Sequence, residues 1–404
     1  MITRRSLLRA SLLTMSAMAG HATIPSWLVR AAAQQNKKNK ILVAVFQRGA
    51  ADGLNMVVPF FEKRYYEMRP SIAVPAPGTG RQNGAIDLDG RFGLHPALQP
   101  LKTFWDSGQL AIVEATGSND PTRSHFDAQE FMESGTPGVK DTADGWLNRS
   151  LTPLGAESSP LRAISVGAQL PRALKGSRGG VSVNNLQQFQ VGNRDTASVL
   201  EKMYETTADV RLSVAGKRTF EAVRMIESIN RRPYTPANGV QYVGAFGRGL
   251  QQAARLIKAD AGVEVAFADI GGWDHHSNEN GQLNNVLREF GTSLAAFVRD
   301  MGDRMENIVL VTMSEFGRTV KENGNTGTDH GHGNVMFVLG GPVKGGNIYG
   351  RWPGLEAEQL FEQRDLAVTT DFRDVLGELV SGHLGQRIDQ VFPGHKPSEP
   401  LSLL

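Results

Sequence analysis

Two spacings of apolar residues alternate along this chain. Unbroken apolar runs occur at residues 41–46 (ILVAVF), 110–115 (LAIVEA), 161–167 (LRAISVG), 263–272 (VEVAFADIGG), 307–317 (NIVLVTMSEFG) and 335–341 (VMFVLGG). Runs this short, without polar alternation, predict strands buried on both faces. Between them apolar positions return every three or four residues, which predicts helices over 96–105, 124–134, 210–229, 240–258, 282–304 and 371–381. Strands alternating with helices predict an α/β fold with a largely parallel central sheet. Residues 140–260 hold one weak strand among much helix. They are expected to form a mostly helical insertion or cap on a single domain running from 34 to 404.

The first 33 residues follow neither spacing. Thr3–Arg9 reads TRRSLLR, a weakly apolar Leu/Ala/Met stretch follows, and Ala31–Ala33 offers small residues for cleavage. This predicts a twin-arginine signal peptide, hence export to the periplasm or beyond and a transient partner in the twin-arginine export machinery. No apolar run reaches the length of a membrane span. The leader also accounts for the positive formal charge: without its four arginines the 43 basic residues become 39, against 41 acidic ones. No basic footprint for nucleic acid is left. The chain has no cysteine, which excludes disulfides, thiolate zinc sites, iron–sulfur clusters and a thiol nucleophile.

The polar residues of interest gather where strands end, and open parallel sheets bind ligands outside the carboxyl ends of their strands. Arg48 and Asp52 follow the first run, and Ser124 and His125 the second. Asp269, Asp274, His275 and His276 follow the VEVAF of the fourth; Glu315 and Arg318 follow the IVLVTM of the fifth. Asp329, His330 and His332 precede the last run, in a loop able to fold back over the same edge. Several have an ordinary reading. Asp52 before Gly53 suits a turn, Ser124 suits a helix N-cap, and Glu315 and Arg318 suit a structural ion pair. His95, His383 and His395 read as structural. Asp274-His275-His276 behind a Gly-Gly-Trp break fits a metal or acid/base loop better than a turn. Histidines and carboxylates without sulfur suit Zn²⁺, Mn²⁺ or another divalent ion. Two ions would activate a nucleophile, Ser124, and stabilise a leaving oxygen at phosphorus or sulfur. Arg48, Arg123 or Arg318 would bind the anion.

The segments RGAADGLN, RSHFDAQEFMESG, DIGGWDHHSN, SEFGRT and GTDHGHGN, in this order behind a twin-arginine leader, resemble the DUF1501 family over nearly the whole mature chain. That family is similar in pattern to the alkaline phosphatase and sulfatase superfamily. The resemblance implies an alkaline-phosphatase-like three-layer sandwich with helices on both faces of the sheet. It also implies one or two divalent ions (Zn, Mn, Ca or Mg) among Asp52, Asp269, Asp274, His275, His276, Glu315, His330 and His332. Ser124 stands at the nucleophile position, with Arg48 and Arg318 beside it. Where the superfamily carries an Asp-His pair, this chain has Ser314-Glu315-Phe316, so one histidine ligand is displaced: either His276 or His332 stands in for it, or only one metal binds. No cysteine is present to become formylglycine. The implied function is an exported metal-dependent hydrolase of phosphate or sulfate esters on a small-molecule or glycan substrate. The alternatives are a non-catalytic exported metal- or glycan-binding protein on the same fold, and a phosphotransferase acting on envelope polymers.

Overall fold

The structure is a computed structural model and describes residues 40–404, except 80–82, 156 and 191–192. The twin-arginine segment lies outside the described residues. The central sheet contains β1 (Ile41–Gln47), β2 (Leu110–Gly117), β3 (Ala163–Ser165), β4 (Val181–Ser182), β5 (Val265–Ile270), β6 (Ile308–Ser314), β7 (Asn334–Gly340), β8 (Ile348–Tyr349) and β9 (Thr370–Asp371). Its order is β8-β2-β7-β6-β1-β5-β3-β4, with β9 also paired to β2. β7 alone runs antiparallel to its two neighbours, β2 and β6; every other pairing in this sheet is parallel. Each of the six apolar runs overlaps one of these strands.

The unbroken runs bury both faces, as their composition requires. In β1, Ile41, Val43 and Val45 join one apolar cluster, while Leu42, Ala44 and Phe46 join another on the opposite side. β7 divides in the same way: Val335, Phe337 and Leu339 against Met336 and Val338. The first cluster is closed by α1 (Gln99–Asp106), α4 (Val210–Asn230), α5 (Gly244–Lys258) and α6 (Glu279–Met301). The second is closed by α7 (Phe372–Gly382) and by Trp146 and Phe392, whose rings stack at 5.8 Å. The product is a three-layer sandwich, helices over both faces of a mostly parallel sheet.

Two further helices lie outside these clusters' main closures. α2 (His125–Ser134) begins at the Ser124 N-cap, and α3 (Arg194–Thr206) precedes α4. The helix over 194–206 falls in the segment expected to be mostly helical but outside the helices predicted individually; its Val199 and Met203 are 60% and 62% exposed. Within 140–260, β3 and β4 extend the central sheet and α5 lies on it. A small antiparallel sheet (Val57–Pro59, Ile86–Asp87, Phe92–Leu94) stands apart. Among the described residues no helix is long and apolar enough to cross a membrane.

Strand direction places the chemistry. The ends of β1, β5 and β6 share one edge because these strands are parallel. The start of β7 reaches the same edge because β7 is antiparallel. Asp329, His330 and His332 therefore return over the carboxyl ends of the other strands.

Candidate metal centre

The loop after β6 folds back on itself as a narrow ladder. Gly317 N–H donates to the His332 carbonyl (2.9 Å), Gly331 N–H to the Gly317 carbonyl (2.8 Å), and Thr319 N–H to the Asp329 carbonyl (3.0 Å). The glycines allow backbone to lie on backbone. A Cβ on Gly331 would stand 2.3 Å from the Arg318 carbonyl carbon, and one on Gly327 2.4 Å from that of His276. After β5, Trp273 is buried and donates from its indole to the Ile270 carbonyl (2.9 Å), which pins the loop so that Asp274 and His276 project outward. Arg318, 2% exposed, joins three loops: it donates to the carbonyls of Gly49, Ala50, Trp273 and Thr328 and to the Asp274 carboxylate.

Three imidazoles meet in front of these loops, each gripped from behind. His125, the first residue of α2, has Nδ1 2.8 Å from Glu315 Oε1. His330 has Nδ1 2.9 Å from the Arg123 carbonyl, and His276 has Nδ1 2.9 Å from Asp329 Oδ1. A carbonyl or carboxylate accepts but does not donate, so each Nδ1 carries a proton, and Nε2 is the nitrogen left bare in the neutral form of each ring. His330 Nε2 lies 3.0 Å from His125 Nε2 and 3.0 Å from His276 Nε2. The Asp274 carboxylate closes the group, 2.9 Å from His276 Nε2, 3.4 Å from His330 Nε2 and 3.6 Å from His125 Nε2. Lone pairs face one another at this range only with a cation between them, either a proton on a ring or a metal ion. Edges of ~3.3 Å are what a tetrahedral ion with ~2.0–2.1 Å bonds to nitrogen sets between its ligands, and the His125–His330 and His330–Asp274 separations are near that value. Ligand atoms of His125, Asp274 and His330 all lie within 4.8 Å of one another, the one such group of three or more among the described residues.

The electrostatics agree with the geometry. Burial works against a charged Glu315, but hydrogen bonds from His125, Gln129 and backbone outweigh it and hold the carboxyl below its usual range. Burial opposes the charge of Asp274 too, and Arg318 outweighs it. The Glu315 hydrogen bond raises the pKa of His125, whereas burial lowers that of His330. Phe316 packs beside His125 and His330, with ring centroids at 4.9 and 5.2 Å.

The other candidates are arranged differently. Glu315 stands behind His125, its Oε1 taken by Gly49 N–H (2.8 Å), Gln129 (2.9 Å) and His125. His332 is buried and stacked on Phe361, with centroids 4.1 Å apart, away from the other imidazoles. His275 is 2% exposed with neither ring nitrogen in a hydrogen bond of good geometry, and burial lowers its pKa. Asp52 grips buried Arg69, and Asp269 grips Arg48 (2.7 Å). Ser124 Oγ caps α2, accepting from Asp127 N–H at 3.5 Å, next to the two residues that meet His330. The arginines expected to bind an anion have partners. Arg48 contacts Asp269, Glu133 and Gln129; Arg123 contacts Asp365 and Glu362; Arg318 is committed as above.

His125 and Asp329 were visible in the sequence but were not counted among the metal ligands or their supports. Their signal was the SH pair at a helix start and the DHGH spacing. Gln129 and Arg69 carry no motif; only the fold brings them in.

The family model described as "Protein of unknown function (DUF1501)" matches residues 39–390. No curated protein matches the chain. Among solved structures, the zinc complex of the C-terminal periplasmic domain of EcEptC from Escherichia coli is similar at 10% identity and a TM-score of 0.35, covering 76% of this chain and 73% of that one. The PsFucS1 sulfatase from Pseudoalteromonas sp. is similar at 10% identity and TM-score 0.37, covering 94% and 74%. An alkaline phosphatase from the Antarctic bacterium TAB5 is similar at 11% identity and TM-score 0.31, covering 76% and 93%.

Proposed function

This chain belongs to the DUF1501 family, and we propose from its centre that it is an exported metal-dependent hydrolase of phosphate or sulfate esters. The observation that carries the reading is the meeting of His125, His276 and His330 through Nε2 with the Asp274 carboxylate, every Nδ1 being held from behind. Nitrogen and carboxylate oxygen without sulfur suit a borderline divalent ion such as Zn²⁺ or Mn²⁺. His125, His330 and Asp274 would hold it, with His276 beside His330 and Asp274. When bound, such an ion supplies Lewis acidity: it polarises an ester oxygen and lowers the pKa of water or a hydroxyl.

The chain's own groups do the rest. Glu315, the Arg123 carbonyl and Asp329 fix the tautomer of the three rings, so that Nε2 and not Nδ1 faces the ligand space. Arg318 steadies the Asp274 carboxylate. The Ser124 hydroxyl, at the amino end of α2, is the nucleophile, and the N-terminal dipole of that helix favours the negative charge it develops. The leader takes the protein across the inner membrane by the twin-arginine route.

A second reading, an exported binding protein with no turnover, is favoured by one observation. Arg48, Arg123 and Arg318 are all engaged by carboxylates, so none of them is offered to an ester anion. One experiment separates the two. Protein purified from the periplasm is analysed for metal by mass spectrometry and assayed on aryl phosphates and aryl sulfates, with Ser124→Ala alongside. Turnover that depends on metal and is lost in Ser124→Ala supports the hydrolase. Bound metal with no turnover on either ester class supports the binding protein.

A further inference from the structure

The geometry points to a centre that takes one divalent ion, the place of a second cation at Asp52 being filled permanently by the guanidinium of Arg69. This rests on the metal reading above and concerns how many ions the site holds.

Asp52 ends the segment after β1 on the same edge of the sheet as the histidines, and its carboxylate is 1% exposed. Its side chain makes no cap to the short helix Gly53–Met56 that follows. Instead each oxygen accepts from a different nitrogen of Arg69: Oδ2 from Nη1, and Oδ1 from Nη2 at 2.9 Å. The remaining donors of Arg69 are also used. Nη1 reaches Asn55 Oδ1 at 2.8 Å, Nη2 the Thr319 carbonyl at 2.9 Å, and Nε the Val320 carbonyl at 2.9 Å. A guanidinium has five N–H donors, and all five are bonded here, on a side chain 0% exposed.

That arrangement excludes a metal ion in two ways. Both oxygens of Asp52 already face a positive charge in the planar, two-point geometry a carboxylate shares with guanidinium. Displacing Arg69 would strand a buried cation, which is far costlier than keeping it. The nearby donors do not form a second set. Glu279 is bonded to Asn55 (3.0 Å) and Thr328 (2.7 Å) and shares a hydrogen bond with Asp52 itself. His275 beside them has neither ring nitrogen in a hydrogen bond of good geometry. A two-ion displacement, in which separate ions carry the attacking and leaving oxygens, is therefore not available to this chain.

The test is a count of ions. Full-length protein is equilibrated with excess zinc, desalted and measured for metal per chain; affinity is then measured for wild type, Asp52→Asn and His330→Ala. We expect one ion per wild-type chain, none in His330→Ala, and an affinity in Asp52→Asn within about 3-fold of wild type, less than the 10–100-fold that loss of even an outer-shell partner costs. Two ions per wild-type chain overturn the inference. So does a loss of roughly 100-fold or more in folded Asp52→Asn. No ion in the wild type removes the metal reading itself, and this inference with it, by a different result. The wild-type count stands even if Asp52→Asn fails to fold.

Discussion

His330 Nε2 lies 3.0 Å from His125 Nε2, although both rings give their other nitrogen to an oxygen acceptor. Two lone pairs held this close raise the energy of the folded chain until a cation separates them. A divalent ion should therefore bind the folded state alone and stabilise it. At a free ion concentration 100 times the Kd the gain is ~2.7 kcal/mol. Melting curves with zinc or manganese and with a chelator check this. The melting temperature should rise with metal in the wild type and stay unmoved in His330→Ala. An equal response in both proteins would sink the assignment.

Glu315 tests how the centre is oriented. It is 1% exposed and holds the Nδ1 proton of His125. Glu315→Gln keeps the volume but replaces the carboxylate with an amide whose NH₂ competes for the same place. The His125 ring should then rotate or change tautomer, with metal affinity falling by about 10–100-fold. Titration of metal-free protein measures this. Unchanged affinity would mean that His125 is not a ligand.

The elements of this fold were legible because each run of apolar residues had one explanation: β1, β6 and β7 are buried on both faces, and nothing else accommodates ILVAVF or VMFVLG. The site was half legible. Loops at strand ends could be named, since parallel strands share an edge, and Asp274, His276 and His330 were among them. Which members of each loop turn toward one another could not be named. His330 and His332 are two residues apart, yet one meets His125 and the other stacks on Phe361. Asp52 looked like a ligand because nothing in its neighbourhood names a partner 17 residues later in the chain; the ion pair with Arg69 exists only in three dimensions. Glu315 was expected to touch metal or Arg318, and instead it touches His125.

The glycines of GTDHGHGN invite a direct test. At Gly331 an added methyl would stand 2.3 Å from the Arg318 carbonyl carbon, and that neighbour is backbone, unable to give way. Gly331→Ala should push the 329–332 strand of the ladder off residues 317–319, taking His330 with it. We expect a loss of roughly 1–3 kcal/mol, as for other overpacked sites, together with loss of metal binding. Gly324→Ala, in the same loop with no atom within 4 Å of the added Cβ, is the control. Denaturant unfolding and metal titration on both variants give the answer, and equal behaviour of the two would contradict the close approach.

Asp300 sets a pH dependence remote from the histidines. Its carboxylate, on α6, is fully buried and accepts from Lys258 Nζ (2.7 Å), Ala237 N–H (2.7 Å), Tyr242 (2.9 Å) and Tyr234. Burial pushes its pKa up, but those four donors, Lys258 foremost, outweigh it and leave the pKa below the ordinary value. A carboxylate depressed in the folded state contributes stability that is fully present above the unfolded pKa of ~3.9. That contribution is lost as pH falls through the folded value, because there the unfolded chain binds the proton first. Stability should therefore decline as the solution is acidified from about pH 5 downward. Asp300→Asn should cost about 2–3 kcal/mol at pH 7, the scale of a lost charged hydrogen bond in a buried site. Its stability should also fall less steeply with acid than that of the wild type. Urea unfolding of both proteins between pH 3 and pH 7 compares the slopes. Parallel slopes would show that Asp300 is not among the groups that set the acid limit.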